Sequence, residues 1–117
     1  MKLYDSELKI LEALWTHGDT TAKRVAELLR EQVGWSKTTT YTVIKKCIDK
    51  GAVRRIEPGF VCRALISRQE AQATETAELI NKMYGGMPDQ LVASILWRKD
   101  LTKEEIDRLK EIINSLG

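Results

Sequence analysis

The chain has 117 residues, 43% hydrophobic and 31% charged, which excludes an intrinsically disordered protein and limits the fold to one domain with at most a small appendage. The net charge is only +2, but residues 1–66 carry 12 Lys and Arg against 8 Asp and Glu, whereas residues 67–117 carry 7 against 9. No apolar stretch is long enough for a signal peptide or a membrane span, so we expect a cytoplasmic protein without direct membrane insertion.

Two amphipathic helices are predicted in the first third of the chain. The first begins at a cap formed by Asp5 or Ser6 and ends near His17. The second is capped within Asp19–Thr21 and ends at Gly34. Apolar residues recur in both at the spacing of one helix face, which predicts that the two helices pack on a common core.

A third helix is predicted to begin at Ser36 and to end before Gly51. It opens with three consecutive threonines, although β-branched residues are poor helix formers, so capping or a ligand must explain them. The residues assigned to its apolar face are Lys37, Tyr41, Ile44 and Ile48, with Thr40 and Cys47 at the edge. The residues assigned to its outer face are Thr38, Thr39, Thr42, Lys46, Asp49 and Lys50, with Lys45 on the flank.

Two short β-segments, Val53–Glu57 and Phe60–Ile66, follow the third helix and are joined by a Pro-Gly turn. Alternation along a strand places Arg54 and Arg55 on opposite faces, and we favour Arg54 and Arg63 as the outward pair. The order of three helices and a hairpin predicts a mainly α fold with a small β-hairpin wing, a winged helix-turn-helix.

Double-stranded DNA is the partner that this segment predicts. Between Trp35 and Arg63 there are seven basic residues against two acidic ones. Threonine and lysine side chains contact base edges and phosphates, and wing arginines grip the backbone or minor groove. The alternative is an ordinary solvated helix face. The residues expected to contact DNA are Lys37, Thr38, Thr39, Thr42, Lys45, Lys46, Lys50, Arg54 and Arg63.

Residues 67–117 are predicted to form three more helices, after a winged-helix domain that occupies residues 1–66. Ser67 and Glu70 have the spacing of a capping box, Pro88 opens the next helix, and Thr102 caps the last. Three short helices bury their apolar stripes poorly, so we expect a homodimer; the alternative is packing back on the first domain. The residues expected in the dimer interface are Leu79, Ile80, Met83, Leu91, Val92, Ile95, Leu96, Ile106, Leu109, Ile112 and Ile113.

No constellation typical of an enzyme is present. His17 is the single histidine, and Cys47 and Cys62 lack metal-binding spacing, so we expect buried thiols, no metal site and no cofactor. No Gly-rich phosphate loop appears either. The three tryptophans, Trp15, Trp35 and Trp97, adjoin apolar stripes and are expected to anchor the core or an interface.

The chain resembles the penicillinase-repressor (BlaI/MecI/CopY) family of bacterial transcriptional repressors. The similarity lies in Leu14-Trp15, Thr21-Ala22, the segment WSKTTTYTVIKKCIDKGAV, Ser67–Glu70, Gly85-Gly86 and the ending LVASILWRKDLTKEEIDRLKEII, and it covers nearly the whole chain. The resemblance implies a homodimer with an N-terminal winged helix and a C-terminal dimerisation region. It also implies repression from palindromic operators, commonly of β-lactam resistance or metal-homeostasis genes.

In the β-lactam branch of that family, a membrane-bound sensor metallopeptidase signals, and the repressor is cut at an Asn-Phe bond within its dimerisation helices. The position that aligns here is Ser94-Ile95, which departs from that pattern. The copper-responsive branch has a C-terminal cysteine site that this chain lacks. Two other functions stay open: a winged-helix protein–protein adaptor, and a ligand-responsive regulator of the multiple-antibiotic-resistance type.

Overall fold

The computed structural model describes residues 1–117 and is mainly helical, with one small antiparallel sheet. It comprises two compact units, Met1–Thr76 and Ala77–Gly117. The elements in chain order are α1 (Asp5–His17), β1 (Thr20–Thr21), α2 (Ala22–Val33), α3 (Lys37–Asp49), β2 (Val53–Ile56), β3 (Val61–Ala64), α4 (Arg68–Met83), α5 (Pro88–Leu96) and α6 (Lys103–Asn114). The predicted fold class, a winged helix followed by helices, is confirmed.

The sheet has three strands in the order β1-β3-β2. Its β2–β3 hairpin was predicted, with strands that prove shorter than expected, but β1 was not. Thr20 pairs with Cys62 and Thr21 with Val61, so the residues before α2 form the third strand. Thr21 also caps α2, because its side chain accepts a hydrogen bond from the Arg24 N–H at 3.1 Å. A two-residue strand that doubles as a cap has no periodicity of its own.

The core of the first unit lies between α1, α2 and α3 and is closed by the sheet. Ile10, Leu11 and Ile44 are fully buried, and Ala71 at the start of α4 is only 3% exposed. The Trp15 indole N–H donates to the Ile66 carbonyl oxygen at 2.9 Å, which ties α1 to the segment before α4. The predicted division of function at residue 66 stays a prediction, although the first turns of α4 pack with the winged helix.

The assignment of faces on α3 was partly wrong. Its buried residues are Thr40, Val43, Ile44 and Cys47, whereas Lys37 is exposed and Tyr41 is half-buried. Thr40 and Cys47 therefore lie at the centre of the apolar face rather than at its edge, and Tyr41 packs against the border of the core instead of its centre. The small side chains on this face made its centre hard to locate from sequence, because threonine and cysteine look neutral beside Tyr41 and Ile48.

Thr40→Val is expected to stabilise the first unit by about 1 kcal/mol. The Thr40 hydroxyl is completely buried and has no hydrogen-bond partner, and a buried unsatisfied polar group costs about 1–3 kcal/mol. Valine keeps the shape and removes the unpaired hydroxyl. Urea unfolding of the two chains measures the difference. Thr42→Val, on an exposed position of the same helix, is the control and should not increase stability; an equal gain there would assign the effect to the helix surface.

The second unit contains the end of α4 together with α5 and α6. The predicted Thr102 cap of α6 is confirmed, and Glu105 completes a capping box: the Thr102 hydroxyl accepts from the Glu105 N–H at 3.1 Å, and the Thr102 N–H donates to the Glu105 carboxylate at 3.0 Å. Pro88 opens α5 as expected. Neither α5 nor α6 has a buried residue. None of the helices combines the length and the apolar character that crossing a membrane requires.

Candidate nucleic-acid interface

The threonines that open α3 are held by a local network of hydrogen bonds. The Ser36 hydroxyl accepts from the Thr39 N–H at 3.1 Å and donates to the Thr39 hydroxyl at 3.0 Å. The Thr42 hydroxyl donates to the Thr38 carbonyl oxygen at 2.9 Å. Each of these hydroxyls keeps lone pairs for a further donor. The network offsets the poor helix propensity of the threonines and fixes their orientation on the exposed side of the helix.

An open depression on the outward side of α3 gathers five side chains. Four of them, Lys37, Thr38, Thr42 and Lys45, were predicted to contact DNA, and the fifth is Tyr41. Two ammonium groups, two hydroxyls and a phenol line this surface. Because this depression is open rather than an enclosed cavity, it suits an extended polyanion better than a small molecule.

Lys46 and Lys50 lie on a different side of α3, facing the start of α1 across a groove lined also by Tyr4. The Lys50 ammonium contacts the Glu7 carboxylate at 2.6 Å and the Lys2 carbonyl oxygen at 2.7 Å, and lies 4.5 Å from the centre of the Tyr4 ring. These contacts direct it toward the protein. Lys50 was predicted to contact DNA, but because of these contacts we do not count it among the residues proposed to do so.

Glu7 is the one buried carboxylate in this unit, with 1% of its surface exposed. Burial raises the pKa of Glu7, but hydrogen bonds from the Lys50 ammonium and the Tyr4 N–H outweigh burial and hold that pKa below its ordinary value. The Glu7 carboxylate accepts from the Tyr4 N–H at 2.8 Å, so Tyr4 rather than Asp5 or Ser6 is the N-cap of α1. Glu7 thus joins the first turn of α1 to the end of α3.

A second basic group, which sequence reasoning missed, lies between α2 and α3. Lys23 and Arg30 project from α2 into a groove shared with Lys37 and Glu27. The signal was present, since Lys23 and Arg30 are seven residues apart and thus share one side of α2. It resembled an ordinary solvated helix face, and only the position of Lys37 beside them makes it part of a larger basic surface.

The hairpin presents the two predicted arginines on one face. Arg54 and Arg63 are directly opposite each other in the antiparallel register, so their side chains project to the same side. Arg63 forms an ion pair with Asp19 at 2.8 Å, and the hydrogen bond from this guanidinium to Asp19 raises the pKa of Arg63. Arg55 instead pairs with Glu57 and stacks on Phe60, 3.8 Å from the ring centre.

The cysteines and tryptophans are mostly structural. Cys47 and Cys62 are fully buried, as predicted, and burial raises their pKa values to about 12 and about 11. Trp15 and Trp35 pack against the core as expected. Trp97 does not, because 78% of its surface is exposed.

The side chains predicted for the dimer interface are all at least partly exposed within one chain. Ile80, Leu91 and Leu109 are half-buried. The exposed ones are Leu79, Met83, Val92, Ile95, Leu96, Ile106, Ile112 and Ile113. Of the aligned cleavage position, Ser94 lies inside α5 and its hydroxyl contacts the Tyr84 hydroxyl at 2.9 Å and donates to the Leu91 carbonyl oxygen at 2.8 Å.

The sequence of this chain matches one protein family over nearly its whole length. The family model described as "Penicillinase repressor" matches residues 3–115. This chain belongs to the penicillinase repressor family. The predicted resemblance is therefore confirmed, and it extends through both compact units of this family member.

Curated relatives of this penicillinase repressor family member are named as a repressor and as a resistance regulatory protein. It is 26% identical over 114 residues to the penicillinase repressor of Bacillus licheniformis, covering 96% of this chain and 89% of that one. It is 25% identical over 115 residues to the methicillin resistance regulatory protein MecI of Staphylococcus aureus strain N315, covering 97% and 94%. The chain therefore spans nearly the full length of these antibiotic-resistance regulators.

Two solved structures resemble this family member. The DNA-binding domain of the repressor BlaI matches with a TM-score of 0.55 and 27% identity, covering 59% of this chain and 87% of that domain. A MarR family protein from Bacillus stearothermophilus matches with a TM-score of 0.52 and 19% identity, covering 99% and 74%. The first of these structures is the DNA-binding domain of a repressor, whereas the second likeness concerns the fold alone.

Proposed function

We propose that this protein is a transcriptional repressor that binds a palindromic operator as a homodimer. The observation that carries the proposal is the outward surface of α3, where Thr38, Thr42 and Lys45 share one side of a helix in a winged-helix fold. Hydroxyls and ammonium groups at this spacing suit base edges and phosphates. Arg54 and Arg63, side by side on the hairpin, add a second basic contact of the kind that fixes a protein on the duplex.

The exposed apolar side chains of the second unit support the homodimer. A chain that leaves Ile112, Ile113 and Met83 more than half exposed has apolar surface that a partner would cover. A second copy is the simplest partner, because a two-fold dimer presents two copies of α3, the reading helix, to a two-fold operator. Tight binding then depends on the dimer, since linking two weak contacts raises affinity by about 10²–10⁴.

Release from the operator is proposed to follow a signal that loosens the C-terminal helices. Proteolysis there by a membrane-bound sensor metallopeptidase is one form of that signal. The Ser94-Ile95 bond lies in regular helix, with Ser94 hydrogen-bonded on both sides, so a protease would need α5 to open first. Opening α5 alone would expose more apolar surface and weaken the dimer without altering the reading helix.

A protein–protein adaptor is the rival function from another class. Adaptors of this fold dock partners through an apolar, weakly charged face. Here the outer side of α3 and the neighbouring α2 present Lys23, Arg30, Lys37 and Lys45, which favours a polyanion. The ligand-responsive regulator is supported only by the fold likeness at 19% identity.

The direct test is fluorescence-anisotropy binding to the DNA upstream of the gene for this protein, with a scrambled duplex as reference. We expect sequence-dependent binding, two chains per duplex and a steep salt dependence. Lys45→Ala should reduce the slope of log K against log salt by about 0.9, the value for one phosphate contact. Lys9→Ala, which removes the same charge from the exposed side of α1, should leave the slope unchanged. Equal, weak binding of both duplexes would contradict the repressor function.

A further inference from the structure

An aromatic contact links the reading helix to the tip of the wing. The rings of Tyr41 on α3 and Phe60 after the hairpin turn meet edge to face, with centres 5.8 Å apart and planes at 90°. This is a favoured geometry for aromatic pairs. The Lys37 ammonium lies 5.6 Å from the centre of the Tyr41 ring. The orientation of the Tyr41 ring is therefore set from two sides.

Phe60 is itself held by several independent contacts. Its N–H donates to the Glu57 carboxylate at 3.3 Å, and its carbonyl oxygen accepts from the Ala22 N–H at 2.9 Å. The Arg55 guanidinium also lies over its ring, 3.8 Å from the ring centre. Its φ of 51° lies in the left-handed region, which is uncommon for a bulky residue. Such a conformation persists where surrounding contacts determine it, often at functional sites.

Tyr41 belongs to the surface that faces outward. It lines the same depression as Thr38, Thr42 and Lys45, while part of its side chain packs, half-buried, against the core. Its contacts with Phe60 and Lys37 are made by the ring, so the hydroxyl lies at the end of an oriented side chain and takes no part in them. A phenol hydroxyl both donates and accepts, and a side chain with few torsions loses little entropy on binding.

We propose that Tyr41 is a specificity-determining residue that contacts base edges through its hydroxyl and ring edge, and that Phe60 is the positioning residue that aims it. The inference rests on the proposed repressor function and deepens it. The neighbouring lysines attract any duplex through its phosphates. An uncharged, rigid phenol among them adds hydrogen bonding that distinguishes one base pair from another.

The test is selection of preferred sequences from a library of randomised duplexes by the full chain, followed by anisotropy titrations on single-base-pair variants of the selected sequence. We expect Tyr41→Phe to lower discrimination at one base pair of each half-site by about three- to tenfold, the equivalent of one net hydrogen bond. Its salt slope should equal that of the wild type. Phe60→Leu should lose discrimination at the same base pair, and Tyr4→Phe, which removes the same atom elsewhere in the unit, should lose none.

The possible outcomes distinguish a failure of the role proposed for Tyr41 from a failure of the proposed repressor function. If the wild type selects a sequence and Tyr41→Phe keeps the same preference at every base pair, the inference is overturned and the repressor function stands. A uniform loss of affinity over all base pairs also overturns it, because it indicates a phosphate contact. If the wild type selects no sequence, both are overturned. Tyr41→Phe decides alone if Phe60→Leu fails to fold.

Discussion

Removing residues 77–117 is expected to leave a folded winged helix that binds its operator about 10²–10⁴-fold more weakly than the full chain. The fragment keeps α1, α2, α3, the sheet and the first turns of α4, which form one compact unit. It loses the exposed apolar side chains of α5 and α6, which we expect to hold the dimer together. The fragment is therefore a monomer with one reading helix, whereas the dimer has two. Affinity falls because each half-site is then bound in a separate bimolecular step.

The position of the cut is itself part of this prediction. A cut after Ser67, close to the domain boundary predicted from the sequence, removes Ala71, which is 3% exposed, and Arg68, which pairs with Glu12. We therefore expect a fragment ending at Thr76 to be more stable than one ending at Ser67. Sedimentation and anisotropy on both fragments measure mass, fold and affinity. Full operator affinity in a monomeric fragment ending at Thr76 would contradict the dependence on the dimer.

Lys50→Met is expected to destabilise the first unit by about 2–4 kcal/mol while leaving operator affinity close to that of the wild type. The change leaves the Glu7 carboxylate buried without its partner, and breaking a buried ion pair costs about 3–5 kcal/mol. The lower figure reflects Lys50, whose side chain is 28% exposed. Urea unfolding and anisotropy measure the two effects. A large loss of affinity in a chain of unchanged stability would restore Lys50 as a DNA contact.

The same variant should change how stability depends on pH. In the folded wild type the pKa of Glu7 lies below the ordinary value of 4.5, so its contribution is complete above the unfolded pKa and is lost as pH falls through the folded pKa. Without Lys50, burial is opposed only by weaker contacts, so the pKa of Glu7 should rise and the acid-dependent loss of stability should become smaller. The stability difference between Lys50→Met and the wild type should therefore be largest above the unfolded pKa and should shrink as pH falls. Lys9→Met, at an exposed lysine on α1 that forms no contact with the Glu7 carboxylate, is the matched control. Adding Glu7→Gln to Lys50→Met should recover part of the stability, since no buried charge then remains.

Local signals in the sequence determined the ends of the elements well. Ser36 caps α3 and Gly51 ends it with a φ of 81°, as a left-handed C′ residue requires. Thr102 and Glu105 form their capping box. These predictions succeeded because each depends on residues three or four positions apart, whose geometry is set by the backbone of a single helix.

What the sequence could not supply were relations between elements. The rotation of α3 depends on how α1 and α2 pack against Thr40 and Cys47, and the partner of Lys50 lies 43 residues away in Glu7. Helical spacing placed Tyr41 on the apolar face, and it does pack partly buried against the core, but the sequence did not show that it also lines the outward surface and contacts Phe60. The basic residues of the site were largely recognised, but which of them share a side was not.

The two buried thiols, Cys47 and Cys62, can be used to measure how often the core of the winged helix opens. With pKa values of about 12 and about 11 and no exposed surface, Cys47 and Cys62 offer almost no thiolate to a reagent while the unit stays closed. An alkylating reagent then reacts only when the core opens, so the rate of modification measures the opening equilibrium in the absence of denaturant. If operator DNA stabilises the reading helix, the rate at which the reagent modifies the two thiols should fall. Oxidation of either thiol by an inducing signal would likewise require the core to open first.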